Sequence, residues 1–168
     1  YPTDTVWGLG CDATNAEAVE RIYKLKRSEN KKSMLMLCAS ADMVVRYVNK
    51  APGIAFEVME LATSPLTAIL PGAAGVAENL IPEERTLGVR IPDHEFCRRI
   101  LRGLGRPVVS TSANISGEAT PAGLAEVSRE IIDGVDFVVN PRFEGKPTKK
   151  ASSIIAFGEG GEVKIIRE

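Results

Sequence analysis

Short apolar runs of strand length alternate with helical patterns along most of this 168-residue chain. Such alternation indicates an α/β fold in which helices cover a sheet. The gap between residues 157 and 163 is too short for a crossover helix, and its three glycines suggest a hairpin, so we predict a mixed sheet. The predicted strands span residues 34–39, 66–70, 87–91, 107–111, 136–139, 153–157 and 163–166.

The clearest helix is predicted over residues 15–26. Thr14 to Glu17 has the form of a capping box, and Ala18, Ile22 and Leu25 share one face behind it. No linker or repeat divides the chain, so one domain over residues 1–168 is expected. Further helices are expected to start at Ser40, Pro52, Asp93 and Thr120–Pro121.

Composition excludes several classes of protein. No apolar run approaches the ~20 residues that a membrane span needs, and the first residues resemble no export signal, so a soluble, cytoplasmic protein is expected. Three widely spaced cysteines without a C-x-x-C pair fit a reducing compartment. His94 is the single histidine, which excludes a zinc site with two histidine ligands and leaves a Ser/His/Asp triad only around that residue.

Two motifs near the start have more than one interpretation. Residues 8–13 match G-x-G-x-x-A, a dinucleotide-binding pattern, but the predicted helix begins four residues too late, which favours a simple glycine turn. Residues 21–32 concentrate six basic side chains in a chain of net charge −1. They form either a solvated face or an anion site, and the pattern alone leaves both open.

The stretch from residue 107 to 117 is the most unusual. A buried apolar strand runs into Ser, Thr, Ser, Asn and Ser, more polar side chains than one turn requires, so we favour a ligand site there. Arg90 lies inside another apolar run, where its charge needs either a structural acid or an anionic ligand. These features describe a site for a polyanion and a small polar molecule without naming a reaction.

Five motifs follow one another along the chain, namely YPTDTVWGLG at 1–10, Leu66–Thr67 with Pro71, GVRIP at 88–92, TSANISG at 111–117 and SSII at 152–155. In residue pattern and in order they resemble the motifs of the YrdC/TsaC family of threonylcarbamoyl-AMP synthases. The resemblance implies a YrdC/RibB-like fold, a twisted open sheet around a concave, positively lined cavity. It also implies synthesis of threonylcarbamoyl-AMP and pyrophosphate from L-threonine, bicarbonate and ATP. It further implies a partner enzyme that transfers the threonylcarbamoyl group to adenosine 37 of tRNA.

The resemblance also implies roles for individual residues. Lys26 and Arg90 are expected to act by positioning and electrostatics, with no certain catalytic residue. Mg2+ is expected with ATP, without protein ligands and without an organic cofactor. Contacts to threonine or its carbamate are expected from Thr3, Arg90, Ser110, Ser152 and Ser153. Contacts to ATP are expected from Lys26, Arg27, Lys32, Ser112, Asn114, Thr120 and Arg167.

The chain departs from the family pattern in places. The family arginine two residues after Lys26 is here Arg27, one position early, so either the loop shifts or Lys31 or Lys32 substitutes. Trp7 replaces the usual Tyr or Phe. Family members usually carry a preceding segment of about one strand and one helix, which leaves open that an N-terminal part is missing.

Two other functions are alternatives to the synthase. A YrdC-like domain also occurs in hydrogenase-maturation carbamoyltransferases, but those chains are much longer and carry zinc-finger cysteine pairs. The second alternative is an RNA-binding or ribosome-maturation module without catalysis. It would use the basic residues of 21–32 together with Arg142, Lys146, Lys149 and Lys150.

Overall fold

The computed structural model describes residues 1–28 and 34–168. Within these residues seven strands form one sheet in the order β1-β5-β2-β4-β3-β6-β7. The β2/β4 and β3/β6 pairs are parallel and the other four pairs are antiparallel, so the predicted mixed sheet is confirmed. The strands are β1 Gly8–Leu9, β2 Leu35–Leu37, β3 Leu66–Pro71, β4 Thr86–Arg90, β5 Val108–Ser112, β6 Ser153–Phe157 and β7 Val163–Arg167.

Helices flank the sheet, and none of those in the described ranges is long and apolar enough to cross a membrane. Most of the predicted starts are close to the observed ones. The helices are α1 Ala16–Leu25, α2 Ala41–Val45, α3 Gly53–Leu61, α4 Glu95–Leu104 and α5 Arg129–Asp133.

The cap of α1 differs from the prediction by one residue. Asn15 is the N-cap, and its Oδ1 accepts a hydrogen bond from the backbone N–H of Ala18 at 3.0 Å. Thr14 instead donates its hydroxyl to Asp12 Oδ1 at 2.7 Å. Because asparagine caps helices at least as well as threonine does, the helix forms while its cap moves.

Three other predictions for helices and strands were wrong. Asp93 does not cap α4, because its carboxylate pairs with Arg98 at 2.8 Å and the helix begins one residue later. Thr120 starts no helix; α5 begins later, after Ser128, whose Oγ accepts from Ile131 N. Residues 136–139 form no strand, since the Phe137 side chain is 80% exposed and no neighbouring strand pairs with this segment in the described residues.

Along the central strands, successive side chains alternate between the apolar core on one face of the sheet and the candidate site on the other. Met36, Val89, Ala68 and Val109 are paired across β2, β4, β3 and β5 and are completely buried in the main apolar core with residues of α1, α2 and α3. Because successive side chains of a strand point to opposite faces, their neighbours face the other way. That second face carries the cavity described next, and α4 covers one end of it through Leu37.

Candidate active site

One face of the sheet lines a cavity of about 1000 Å³. Its floor is a continuous row of paired positions that runs from β5 across the sheet to β7. Gly88 lies near the middle of the row, where a Cβ would come within 3.2 Å of the Leu35 Cβ, so glycine keeps the floor low. The row consists of Ser110, Leu35, Gly88, Ile69, Ala156 and Lys164.

Arg90 lies in the cavity wall, and the side chains of Asp4 and Thr5 hold its guanidinium in place. Its Nη2 donates to Asp4 Oδ1 at 2.7 Å, and its Nη1 donates to Thr5 Oγ1 at 2.9 Å. The other Asp4 oxygen accepts from the backbone N–H of Asp93 at 3.2 Å. Arg90 is only 5% exposed, and its Nε is buried without a partner in the described residues. The structural acid that the sequence left open for Arg90 is therefore present, and Arg90 still borders the cavity.

The hydroxyls of Thr3 and Thr5 extend this network along the wall. Their oxygens are 2.9 Å apart, and the Thr3 hydroxyl donates to the Val6 carbonyl at 2.7 Å. Since the single Thr3 proton is used there, the Thr5 hydroxyl is the donor between the two threonines. Both threonines line the cavity and are almost fully buried.

Two serines of β5, both in the 107–117 stretch, line the cavity. Ser110 Oγ accepts a hydrogen bond from the Tyr1 hydroxyl at 2.7 Å, and burial raises the pKa of that phenol. Ser112 pairs with Gly8 of β1, where the sheet ends. The predicted concentration of hydroxyl groups therefore lies at the β1/β5 end of the cavity.

Another group of predicted residues meets at the β3/β6 side. The hydroxyls of Thr67 and Ser152 are 2.7 Å apart and buried. Arg167 donates from Nε at 3.0 Å and from Nη2 at 2.6 Å to the Ser152 carbonyl. Ser152, Arg167 and Thr120 line the cavity, whereas the neighbouring Ser153 does not.

Lys26 is not among the described residues that line the cavity, and its expected contact with the phosphates stays a prediction. Its Nζ donates to the carbonyl oxygens of Ser112 and Asn114, both at 2.6 Å, and the residue is 3% exposed. Burial lowers the pKa of Lys26 to about 8. The carbonyls at the end of β5 and in the loop that follows it converge on this ammonium, so Lys26 anchors the start of that loop.

Two other residues expected to contact ATP, Arg27 and Asn114, are also absent from the described cavity lining. Arg27 has a φ of 51°, and its guanidinium forms an exposed ion pair with Glu130 at 2.8 Å. Asn114 donates from Nδ2 to the carbonyls of Ile115 and Glu118, so it shapes its loop without bordering the cavity. Lys32 and its alternative Lys31 lie outside the described residues.

Sequence reasoning missed the residues that support the wall. Asp4 belongs to the first motif, but no role was assigned to it; the need of buried Arg90 for an acid was the available signal. Two backbone bonds, Thr148 N–H to the Asp4 carbonyl and Lys149 N–H to the Thr5 carbonyl, both 2.9 Å, tie residues 148–149 to the same motif. Trp7 Nε1 donates to Glu144 Oε1 at 2.7 Å and fixes this connection further.

The model of the Sua5/YciO/YrdC family, which carries the description "Telomere recombination", matches residues 1–168. The chain belongs to the Sua5/YciO/YrdC family. The chain is similar to the threonylcarbamoyl-AMP synthase of Idiomarina loihiensis, with 35% identity over 154 residues. The match covers 89% of this chain and 83% of that protein.

Solved structures of the Sua5/YciO/YrdC family share the fold. P. abyssi Sua5 complexed with L-threonine matches with a TM-score of 0.83 at 26% identity, over 93% of this chain and 46% of that protein. This chain thus spans about half the length of P. abyssi Sua5. E. coli YciO matches with a TM-score of 0.83 at 25% identity, over 100% of this chain and 81% of that protein. The predicted family and its curled α/β sheet are confirmed.

Proposed function

We propose that this chain joins L-threonine, bicarbonate and ATP into L-threonylcarbamoyl-AMP and pyrophosphate. The observation that carries the proposal is that Arg90 and Ser112, from separate motifs, border one cavity. The similarity to a threonylcarbamoyl-AMP synthase and to a Sua5 that binds L-threonine supports the same reaction.

The reaction needs two anions to meet. The threonine amine forms a bond to the carbon of bicarbonate, and loss of water leaves a carbamate. A carbamate oxygen then bonds to the α-phosphorus of ATP, while the bond from that phosphorus to the bridging oxygen breaks and pyrophosphate leaves. Positioning and fixed positive charge are the main contributions that a protein makes to such a transfer.

The described residues suit this task. Asp4 and Thr5 hold the Arg90 guanidinium in place, so it loses little freedom when it binds a carboxylate or carbamate. Ser110 and Ser112 present hydroxyls at the same end of the cavity, and Arg167 adds a cation on β7. His94 lies outside the cavity lining, with its Nε2 3.0 Å from the Glu144 carbonyl, so no step is assigned to it.

We propose that Mg2+ arrives with ATP. Among the residues that the structure describes, no group of three or more His, Cys, Asp or Glu side chains is placed to hold a metal ion. Glu84 is the one acidic residue in the described cavity lining. The described part of the cavity lining therefore does not fit a dedicated metal centre, and we derive no step through the ion.

The chemistry of the product indicates which class of reaction must consume it. Threonylcarbamoyl-AMP is a reactive mixed anhydride, so an acceptor enzyme has to consume it. We propose that this acceptor is the tRNA-modifying transferase that acts at adenosine 37, as the family resemblance implies.

The RNA-binding alternative has weaker support. Arg21 pairs with Asp136 at 3.0 Å, Lys24 with Glu20 at 3.8 Å, and Arg27 with Glu130. These acids offset much of the charge that the described part of 21–32 would present to a phosphate backbone.

The test is mass spectrometry of the protein mixed with ATP, Mg2+, bicarbonate and each of several amino acids. The expected result is an adenylate of threonylcarbamate mass, with pyrophosphate released only when threonine and bicarbonate are both present. Absence of that adenylate from a protein that binds RNA with steep salt dependence would overturn the synthase in favour of the RNA-binding module.

A further inference from the structure

Ser110 has a partner for its oxygen but none for its own proton among the described residues. It is 7% exposed and borders the cavity. Its Oγ accepts from the Tyr1 hydroxyl at 2.7 Å, and within residues 1–28 and 34–168 it forms no other side-chain hydrogen bond. A serine hydroxyl carries one proton besides its acceptor lone pairs. Since a buried proton without an acceptor is costly, the Ser110 proton is available to an acceptor on a ligand in the cavity.

Tyr1 reaches Ser110 from outside the cavity. It is absent from the described cavity lining and lies beside β1, where its carbonyl accepts from Gly8 N at 2.7 Å and its nitrogen donates to the Gly8 carbonyl at 2.8 Å. The second acceptor near its phenol, the Val109 carbonyl, is 3.5 Å away, so the bond to Ser110 is the stronger one. Tyr1 therefore affects a bound molecule through Ser110 and not by direct contact.

The two glycines of the G-x-G pattern at residues 8–10 make room for the Tyr1 ring. A Cβ at Gly8 would come within 3.1 Å of the ring carbon Cζ, and a Cβ at Gly10 would come within 2.8 Å of Cε1. Side chains at these positions would push the phenol away from Ser110. The pattern that resembles a dinucleotide motif thus seats an aromatic ring against β5.

The phenol of Tyr1 stays a donor over the working pH range. Burial raises the pKa of Tyr1 above its ordinary value, so the hydroxyl keeps its proton. That single proton goes to Ser110, which leaves the serine with a lone pair occupied and its own proton to give.

We propose that Tyr1 is a positioning residue that holds Ser110 as a hydrogen-bond donor toward an acceptor oxygen of L-threonine. This inference rests on the proposed function. Because Tyr1 occupies a lone pair of Ser110 Oγ, rotation of the serine hydroxyl is limited, and its proton is directed away from Tyr1 and toward the cavity. A donor that is oriented before the substrate arrives loses less freedom when it binds.

The test is a double-mutant cycle measured by calorimetric titration with L-threonine. Tyr1→Phe keeps the ring beside Gly8 and removes only the hydroxyl, and we expect it to weaken L-threonine binding about threefold to tenfold, the effect of one hydrogen bond. In the Ser110→Ala background the same substitution is expected to change the affinity less than about twofold, because the group through which it acts is gone.

Tyr47→Phe is the matched control. The Tyr47 hydroxyl forms no hydrogen bond with the described residues and lies outside the described cavity lining, so its removal is expected to leave L-threonine affinity within about twofold. Urea denaturation of each variant confirms that the titrated protein is folded.

Three results would overturn the inference. Unchanged or tighter L-threonine binding in Tyr1→Phe would mean that Tyr1 does not orient Ser110. A loss of the same size in the Ser110→Ala background would show a structural role that does not pass through the serine, and an equal loss in Tyr47→Phe would show an unspecific effect.

The inference and the proposed function fail in different ways. A wild type that shows the expected coupling in L-threonine binding but forms no adenylate refutes the proposed function alone. A wild type that forms the adenylate while Tyr1→Phe binds L-threonine normally refutes the role of Tyr1 alone. A wild type that binds no L-threonine rejects both.

Discussion

Arg90 and Asp4 form a buried ion pair, 2.7 Å between Nη2 and Oδ1, across 86 positions of sequence. Their side chains are 6% and 10% exposed. The pair joins the first motif to the end of β4 and places a guanidinium at the cavity wall. It therefore contributes to the fold and to the site together.

Arg90→Ala is expected to lose both turnover and stability. The variant leaves Asp4 buried without its cation, a change that costs about 3–5 kcal/mol in the free energy of unfolding. Urea denaturation and pyrophosphate release measure the two losses. A matched control is Asp93→Asn, which breaks an exposed pair with Arg98 and is expected to cost at most about 1 kcal/mol.

The double variant Asp4→Asn with Arg90→Ala separates structure from function. Removing the buried charge of Asp4 is expected to restore much of the stability but none of the turnover. Wild-type activity in the double variant would remove Arg90 from the site. Wild-type stability in Arg90→Ala would mean that the pair does not stabilise the fold.

Ser152 and Ser153 provide a test between neighbouring residues. Ser152 lines the cavity and shares a hydrogen bond with Thr67, whereas Ser153 is absent from the lining. Ser152→Ala leaves the buried Thr67 hydroxyl short of a partner, and we expect the KM for threonine to rise about fivefold or more. Ser153→Ala is expected to leave KM within about twofold. Equal effects of the two substitutions in steady-state kinetics would contradict the placement.

Lys26→Met tests whether this residue anchors a loop. The variant leaves the Ser112 and Asn114 carbonyls without their ammonium donor, so we expect faster amide exchange across residues 112–116 and turnover lowered about tenfold or more. Arg27→Ala breaks only an exposed ion pair and is expected to change turnover less than about twofold.

A direct phosphate contact of Lys26 predicts a different result. In that case ATP affinity would fall in Lys26→Met while amide exchange in the loop stayed at the wild-type rate. Hydrogen exchange measured beside ATP binding distinguishes the two roles.

The three cysteine thiols are expected to lower the free energy of unfolding at alkaline pH. Burial raises the pKa of Cys11, Cys38 and Cys97 to about 12 each, while thiols of the unfolded chain titrate near about 8.5. Between these values the folded protein holds more protons, so its stability falls as pH rises, by about 1.4 kcal/mol per pH unit for each thiol. Lys26 acts in the opposite direction between pH about 8 and 10.5, because burial lowers its pKa, but it is one group against three.

Urea denaturation in reducing buffer from pH 8 to 11 measures this dependence. Cys38→Ala is expected to reduce the slope by about one proton, whatever its effect on stability at pH 7. An unchanged slope in Cys38→Ala would show that this thiol does not keep its proton in the folded state.

Local patterns were enough to predict most of the elements. Strands β3 to β7 and the start of α2 follow from apolar runs and from a capping serine at position 40, because strand alternation and helix capping depend on residues close in sequence. The same local reasoning failed at residues 136–139, which are largely apolar but pair with no strand in the part of the chain that the structure describes. A strand needs hydrogen bonds from a neighbour, and the chain pattern does not supply one.

The wall of the cavity shows where local reasoning ends. From residue types alone, the hydroxyls at 110–112 and the arginine at 90 were predicted to border one site, and the structure places them in the lining of the same cavity. Residue types did not predict three other relationships. Asp4 holds Arg90, and Lys26 donates to the Ser112 and Asn114 carbonyls. The strand that carries Lys164 lies at the far end of the row that begins at Ser110. These relationships join positions 86 to 88 residues apart or cross several strands. They depend on sheet order and register, which arise only when distant segments bury their apolar faces together.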